Sequence, residues 1–137
     1  MHVQPYLSFH GRCEEAVEFY RTALGAQAIE LLRFKDAPDP VPPGMLPPNY
    51  ENKIMHGTFR IGDTTVLASD GGRESSAGFQ GFSLAIMVSS EAEADRVFAA
   101  LAKGGQVGMP LGKTFWSPRF GTVTDRFGVS WMVNTVA

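Results

Sequence analysis

Between residues 3 and 9 the apolar Val3, Pro5, Leu7 and Phe9 alternate with Gln4, Tyr6 and Ser8. That period of two predicts a strand with one face in a core. After His10-Gly11-Arg12 the spacing changes: Cys13, Ala16, Val17, Tyr20 and Leu24 recur every three or four residues, which predicts an amphipathic helix over 13–24. Glu14, Glu15 and Glu18 near its N-terminal end and Arg21 near its C-terminal end suit the helix field, and Gly25 ends it. Residues 27–34, with Ile29, Leu31 and Leu32, read as a second, less regular strand. Residues 36–50 carry six of the nine prolines together with Gly44, which excludes a helix or a central strand and leaves a long loop. Met45, Leu46 and Tyr50 would let this loop cover a pocket as a lid; a plain surface linker has the same composition. Residues 52–61 and 64–69 form a hairpin across Gly62-Asp63.

Residues 71–78 are small, polar and glycine-rich, and read as a linker. The order then repeats. Residues 82–88 alternate Leu84, Ile86 and Val88 with Ser83, Ala85 and Met87. Ser90 and Glu93 make a capping box for a helix through Ala94, Val97, Phe98 and Leu101 that stops at Gly104-Gly105. Residues 106–111 are a short strand. The last stretch folds back on Asp125-Arg126-Phe127-Gly128 into a strand that sends Val129, Trp131 and Val133 to a core and leaves Ser130, Met132 and Asn134 on the other face. The chain is thus expected to be one α+β domain over 1–137 made of two βαβββ modules, 1–70 and 79–137. Two mixed half-sheets would carry a helix on each outer face and turn their polar alternate residues toward a shared cleft.

Composition narrows the function classes. A formal net charge of −2 with no cluster among the 12 Lys and Arg is the wrong surface for nucleic acid. No apolar run approaches the ~18 residues that span a bilayer and no signal pattern opens the chain, so no membrane role and a cytoplasmic location are expected. The single cysteine, Cys13, builds neither an internal disulfide nor a cysteine zinc site; its spacing to Ala16 and Val17 marks it for packing. Asp70 and Asp125 flank glycine turns and read as turn formers. There is no nucleophile elbow, phosphate-binding glycine loop or dinucleotide fingerprint.

The fragments Pro5-Tyr-Leu-Ser-Phe9, Cys13-Glu-Glu-Ala16, Phe19-Tyr20, Lys53-Ile-Met-His-Gly57, Arg60-Ile-Gly-Asp63 and Arg119-Phe-Gly-Thr-Val-Thr-Asp-Arg-Phe-Gly-Val-Ser-Trp-Met-Val-Asn134 resemble, in this order, the vicinal oxygen chelate superfamily. That superfamily includes glyoxalase I, extradiol dioxygenases and bleomycin and fosfomycin resistance proteins, and the resemblance is to its PhnB-like branch. It implies a glyoxalase/bleomycin resistance-like fold and a homodimer. Metal-dependent members place ligands on the first and last strand of each half; the matching positions here are Gln4 (or Pro5, which cannot ligate, if the register slips by one), Ala68, Ser83 and Met132, and of these only Gln is a ligand in some relatives. These are poor ligands for a hard divalent ion, so no metal or other cofactor is expected. Relatives carry a ubiquinone-type methyltransferase label, but the chain has no room for the large nucleotide-binding sheet such an enzyme normally uses.

His2 and His10 stand at opposite ends of one strand, whereas His56 falls with Thr58 and Arg60 on a polar face. Two readings follow. One is a metal-free module that binds an unknown small molecule through Gln4, Tyr6, Ser8, His56, Ser83, Met87, Trp116, Ser130, Met132 and Asn134. The other is a lyase, isomerase or dioxygenase-type enzyme with a non-standard or metal-free site, using His56 as a base or hydrogen-bond donor beside a carboxylate.

Overall fold

The computed structural model describes residues 1–38, 44–71 and 78–136. The chain forms two compact units, Met1–Ser76 and Ala77–Ala137, each an α+β βαβββ module. The first contains β1 (Tyr6–Ser8), α1 (Cys13–Leu24), β2 (Gln27–Arg33), a 3-10 turn (Phe34–Asp36), β3 (Ile54–Ile61) and β4 (Thr64–Ser69). The second contains β5 (Leu84–Val88), α2 (Glu91–Ala102), β6 (Gln106–Gly112), β7 (Phe120–Thr124) and β8 (Ser130–Thr135). The sheet orders are β1-β4-β3-β2 and β5-β8-β7-β6. In each, the first strand pairs parallel with the last and the other pairings are antiparallel.

In the first unit Leu7, Ala68, Phe59 and Val66 are buried on the face that receives Ala16, Val17 and Tyr20 of α1. Tyr20 stacks on Phe59 at 5.9 Å between ring centroids. The helix takes the predicted bounds and ends at Gly25 in the left-handed conformation at φ 69°, which glycine enters without a Cβ penalty. Ala23, not Leu24, completes its buried stripe. In the second unit Ala94, Val97, Phe98 and Leu101 of α2 lie buried with Val123, Trp131 and Val133. The expected cap is present: Ser90 Oγ accepts from Glu93 N at 3.1 Å. At the other end Arg126 Nε and Nη2 donate to the Lys103 carbonyl at 3.2 and 3.0 Å, meeting an acceptor the helix leaves open.

Several strands are shorter than their patterns predict. β1 begins at Tyr6 rather than Val3, because Pro5 has no N–H for the ladder; it contributes only its carbonyl, which accepts from Leu67 N at 2.9 Å. Gln4 therefore precedes the sheet. β3 starts at Ile54 and β5 at Leu84, each two residues later than expected. Tyr50 is not part of a solvent-facing cover. It is buried against Phe34 at 5.8 Å and donates its hydroxyl to the Asp70 carbonyl at 3.1 Å. Of the expected lid, residues 39–43 lie outside the described residues, as do residues 72–77 of the expected linker.

Candidate functional site

Strand register sorts the polar positions by face. In the first unit Tyr6 and Ser8 stand beside Leu67 and Ser69 of β4. Thr58 of β3 lies between Leu67 and Glu30, and His56 is opposite Leu32. Because side chains alternate, all of these occupy the face away from α1. The rings of Tyr6 and His56 lie 6.2 Å apart, so the structure brings together Tyr6, Ser8 and His56. Gln4 is exposed ahead of β1, with no strand pairing to orient it.

The second unit assembles its open face more completely. Ser83 Oγ donates to Ser130 Oγ at 2.9 Å, which joins the start of β5 to the start of β8. Met132 lies between Ala85 and Thr122. Asn134 lies between Met87 and Phe120 and donates its amide to Met87 Sδ at 3.4 Å. Trp116 meets Phe120 edge-on at 5.3 Å and holds Phe115 edge-on at 4.8 Å. Every position expected in this half, namely Ser83, Met87, Trp116, Ser130, Met132 and Asn134, thus belongs to one continuous surface. Met87 is 61% exposed, Trp116 53% and Met132 37%.

The segment carrying Trp116 is braced from below. Ser117 is buried; its hydroxyl lies 2.9 Å from the carbonyls of both Arg119 and Thr135, and its N–H donates to Thr114 Oγ1 at 3.1 Å. Thr114 N donates back to the Ser117 carbonyl at 2.9 Å. The two aromatic rings therefore project from a closed turn, with Phe115 97% exposed. Phe120, Thr122 and Met109 complete this face but were not among the expected residues. Their signal was present in Phe120, Thr122 and Thr124 alternating with Gly121 and Val123. On the first sheet Glu30 and Leu32 were missed because β2 carries a bulge between Ala28 and Glu30, which breaks the period; Thr58 stands on the polar face with His56, as the sequence pattern predicts, and Leu67, an apolar residue on β4, gave no polar signal.

Two buried aspartates belong to the framework. Asp70 Oδ1 accepts from Gly11 N at 2.9 Å and Cys13 N at 2.7 Å, while Oδ2 accepts from Ile54 N at 2.7 Å. The turn-former reading is thereby corrected: Asp70 caps α1, whose own N-cap residue Arg12 makes no side-chain cap bond, and ties it to β3. Asp125 does form its turn, accepting from Phe127 N at 2.8 Å and Val129 N at 3.1 Å, and its other oxygen holds Trp131 Nε1 at 2.8 Å. Cys13 is fully buried. Burial, then the charges of Asp70 and Glu14, push its thiol up to about 12, which leaves it protonated and non-nucleophilic at neutral pH.

Among the described residues no three His, Cys, Asp or Glu gather in a way that could hold a metal ion. The four positions matching the metal ligands of chelate relatives offer an exposed amide (Gln4), a buried methyl (Ala68), a hydroxyl bonded to Ser130 (Ser83) and a thioether (Met132). Divalent ions take carboxylate, carbonyl and water oxygens or imidazole; of the four positions only the Gln4 amide offers such a donor, and it lies ahead of the sheet, so this set does not fit one.

Paired βαβββ units with helix-backed sheets define a protein of the glyoxalase/bleomycin resistance fold. A glyoxalase/bleomycin resistance protein/dioxygenase domain from a Frankia species, 13% identical, shares that architecture at a TM-score of 0.68 over 100% of this chain and 98% of that one. The chain belongs to the PhnB-like family whose model is described as 3-demethylubiquinone-9 3-methyltransferase, which matches residues 1–134. It is 36% identical to protein YjdN of Escherichia coli, covering 99% of this chain and 96% of that protein. The solved structure of protein PA1353 from Pseudomonas aeruginosa is 43% identical, with a TM-score of 0.86 over 99% of this chain and 98% of the other. The PhnB protein from Bacillus cereus is 28% identical, with a TM-score of 0.83 over 99% and 100%.

Proposed function

We propose that this protein is a small-molecule-binding module that takes its ligand on the open sheet faces and needs no metal to do so. The observation that carries the reading is the second unit's open face, where Ser83 with Ser130, Met87 with Asn134, Met132 and the braced Trp116 form one accessible surface. A few hydrogen-bonding groups among apolar and aromatic ones is the chemistry of a ligand site. The donor set at the chelate positions supports the metal-independent part. By its composition and its resemblance, the protein works in the cytoplasm as a homodimer.

A second reading, a metal-free enzyme, rests on His56 beside Tyr6, with Glu30 on the same face of the first sheet. Here His56 is the proton-transferring group.

Amide chemical-shift mapping against a library of small uncharged and charged compounds tests the first reading. Binders are expected to perturb Trp116, Met132 and Asn134, with no change in affinity or Tm after dialysis against chelator. Stoichiometric Ni, Zn, Fe or Mn that is lost in His56→Ala would overturn it, as would a library that leaves these residues unperturbed.

A further inference from the structure

Resting on that binding reading, we infer that the second unit's face selects an uncharged planar aromatic ligand carrying an N–H or O–H donor at its edge, and discriminates against anions. The strand rows show a gradient of chemistry. At one end lie the hydroxyls of Ser83, Ser130 and Thr124, with Gln106 beside Thr124. The middle row is Ala85, Met132, Thr122 and Met109. The other end is Met87, Asn134 and Phe120, with Trp116 against Phe120.

None of these positions bears a formal charge. An anion placed here loses hydration with no cation to replace it, which is the costly case, whereas an uncharged ring loses little. Thioethers are soft, polarizable partners for aromatic rings. Met87, Met109 and Met132 are all exposed, and Trp116 offers a further aromatic surface held in place by the Ser117 turn. Rings meet such surfaces edge-on or offset.

Asn134 specifies the donor. Its Nδ2 is spent on Met87 Sδ, a weak acceptor, at 3.4 Å. Its Oδ1 is shielded from solvent and has no hydrogen-bond partner. A buried acceptor without a donor is costly, and one bond removes that cost. Met87, flexible and exposed, is the side chain bonded to this same amide, and a ligand ring that takes its place brings an edge N–H or O–H to Oδ1.

The test compares 2-naphthol, 2-methoxynaphthalene and 2-naphthoate at neutral pH by calorimetry and by amide shift mapping. The three share one ring system and differ in donor and charge. 2-Naphthol is expected to bind about tenfold more tightly than either of the others, a typical value for one hydrogen bond that would otherwise be unmade. Asn134→Leu should reduce 2-naphthol to the level of 2-methoxynaphthalene without changing the latter, and Trp116→Ala should weaken both. If Asn134→Leu does not fold, the side-chain carbonyl carbon of Asn134 in the unaltered protein provides the same test: a hydrogen bond to Oδ1 must move it with 2-naphthol beyond the ring-induced shift that 2-methoxynaphthalene also produces. Tightest binding by 2-naphthoate, equal binding of the two uncharged probes, or no binding by any of them overturns the inference. If other library compounds still perturb the face, the binding reading survives that failure; if none does, both fall.

Discussion

Asp70 shows how one side chain can organise a module. Its carboxylate accepts three buried or part-buried backbone N–H bonds, from Gly11, Cys13 and Ile54, and nothing local caps α1 in its place. Hydrogen bonds to a charged acceptor contribute ~1.5–3 kcal/mol each, and orphaned buried donors cost about as much again. Asp70→Ala is therefore expected to destabilise by at least about 3 kcal/mol, and Asp70→Asn by less, read from the urea midpoint; a loss under ~0.5 kcal/mol for the alanine variant would refute the clamp. Cys13, held by the same carboxylate at its backbone, yields a pH prediction. Its folded pKa of about 12 lies above the unfolded 9.0, so burial favours the protonated thiol. This stability is fully present below pH 9.0 and is lost as pH rises toward 12, at ~1.4 kcal/mol per pH unit. Cys13→Ala should lack this part of the alkaline slope, as seen in urea midpoints between pH 8.5 and 10.5. Both residues were visible in the sequence, but only Cys13 was assigned its environment there, because its packing partners Ala16 and Val17 are helical neighbours.

At the scale of elements, the two helices were legible to the residue or nearly so, since period and caps are local. Strand ends were not. The expected strands run past the observed ladders at residues 3–5, 52–53 and 82–83: Pro5 lacks an N–H, and at Lys53 the neighbouring strand β2 has already turned into the 3-10 segment, whose Phe34 N donates to the Lys53 carbonyl at 3.0 Å. The sheet interior is tight where a helix crosses it. A Cβ on Gly121 would lie 2.9 Å from both the Met109 carbonyl and Phe98 Cε2. Since backbone cannot yield cheaply, Gly121→Ala is expected to cost ~1–3 kcal/mol. Gly112, at the end of the neighbouring strand β6 with nothing within 4 Å, is the control: Gly112→Ala should stay within ~0.5 kcal/mol by thermal melting. Equal losses in the two variants would contradict this account of close packing at Gly121.

For the whole molecule, sedimentation equilibrium is expected to return about twice the chain mass of 14.9 kDa if the proposed homodimer forms. A single species at the chain mass, unchanged with concentration, would remove that part of the proposal. Among the described residues no helix is long and apolar enough to cross a membrane.

The amino-acid sequence by itself determined the order and kind of the elements, the repeat of βαβββ, and the inward set Val129, Trp131 and Val133. These follow from periodicities of two and 3.6 residues and from caps that act over a few residues. Tertiary structure alone decided which polar groups are neighbours. Ser83 and Ser130, or Met87 and Asn134, are 47 residues apart and meet only because β5 pairs parallel to β8. Likewise Asp70 reaches Cys13 across 57 residues. Register between distant strands is a property of the assembled sheet, and no local pattern encodes which side chain another strand will bring alongside.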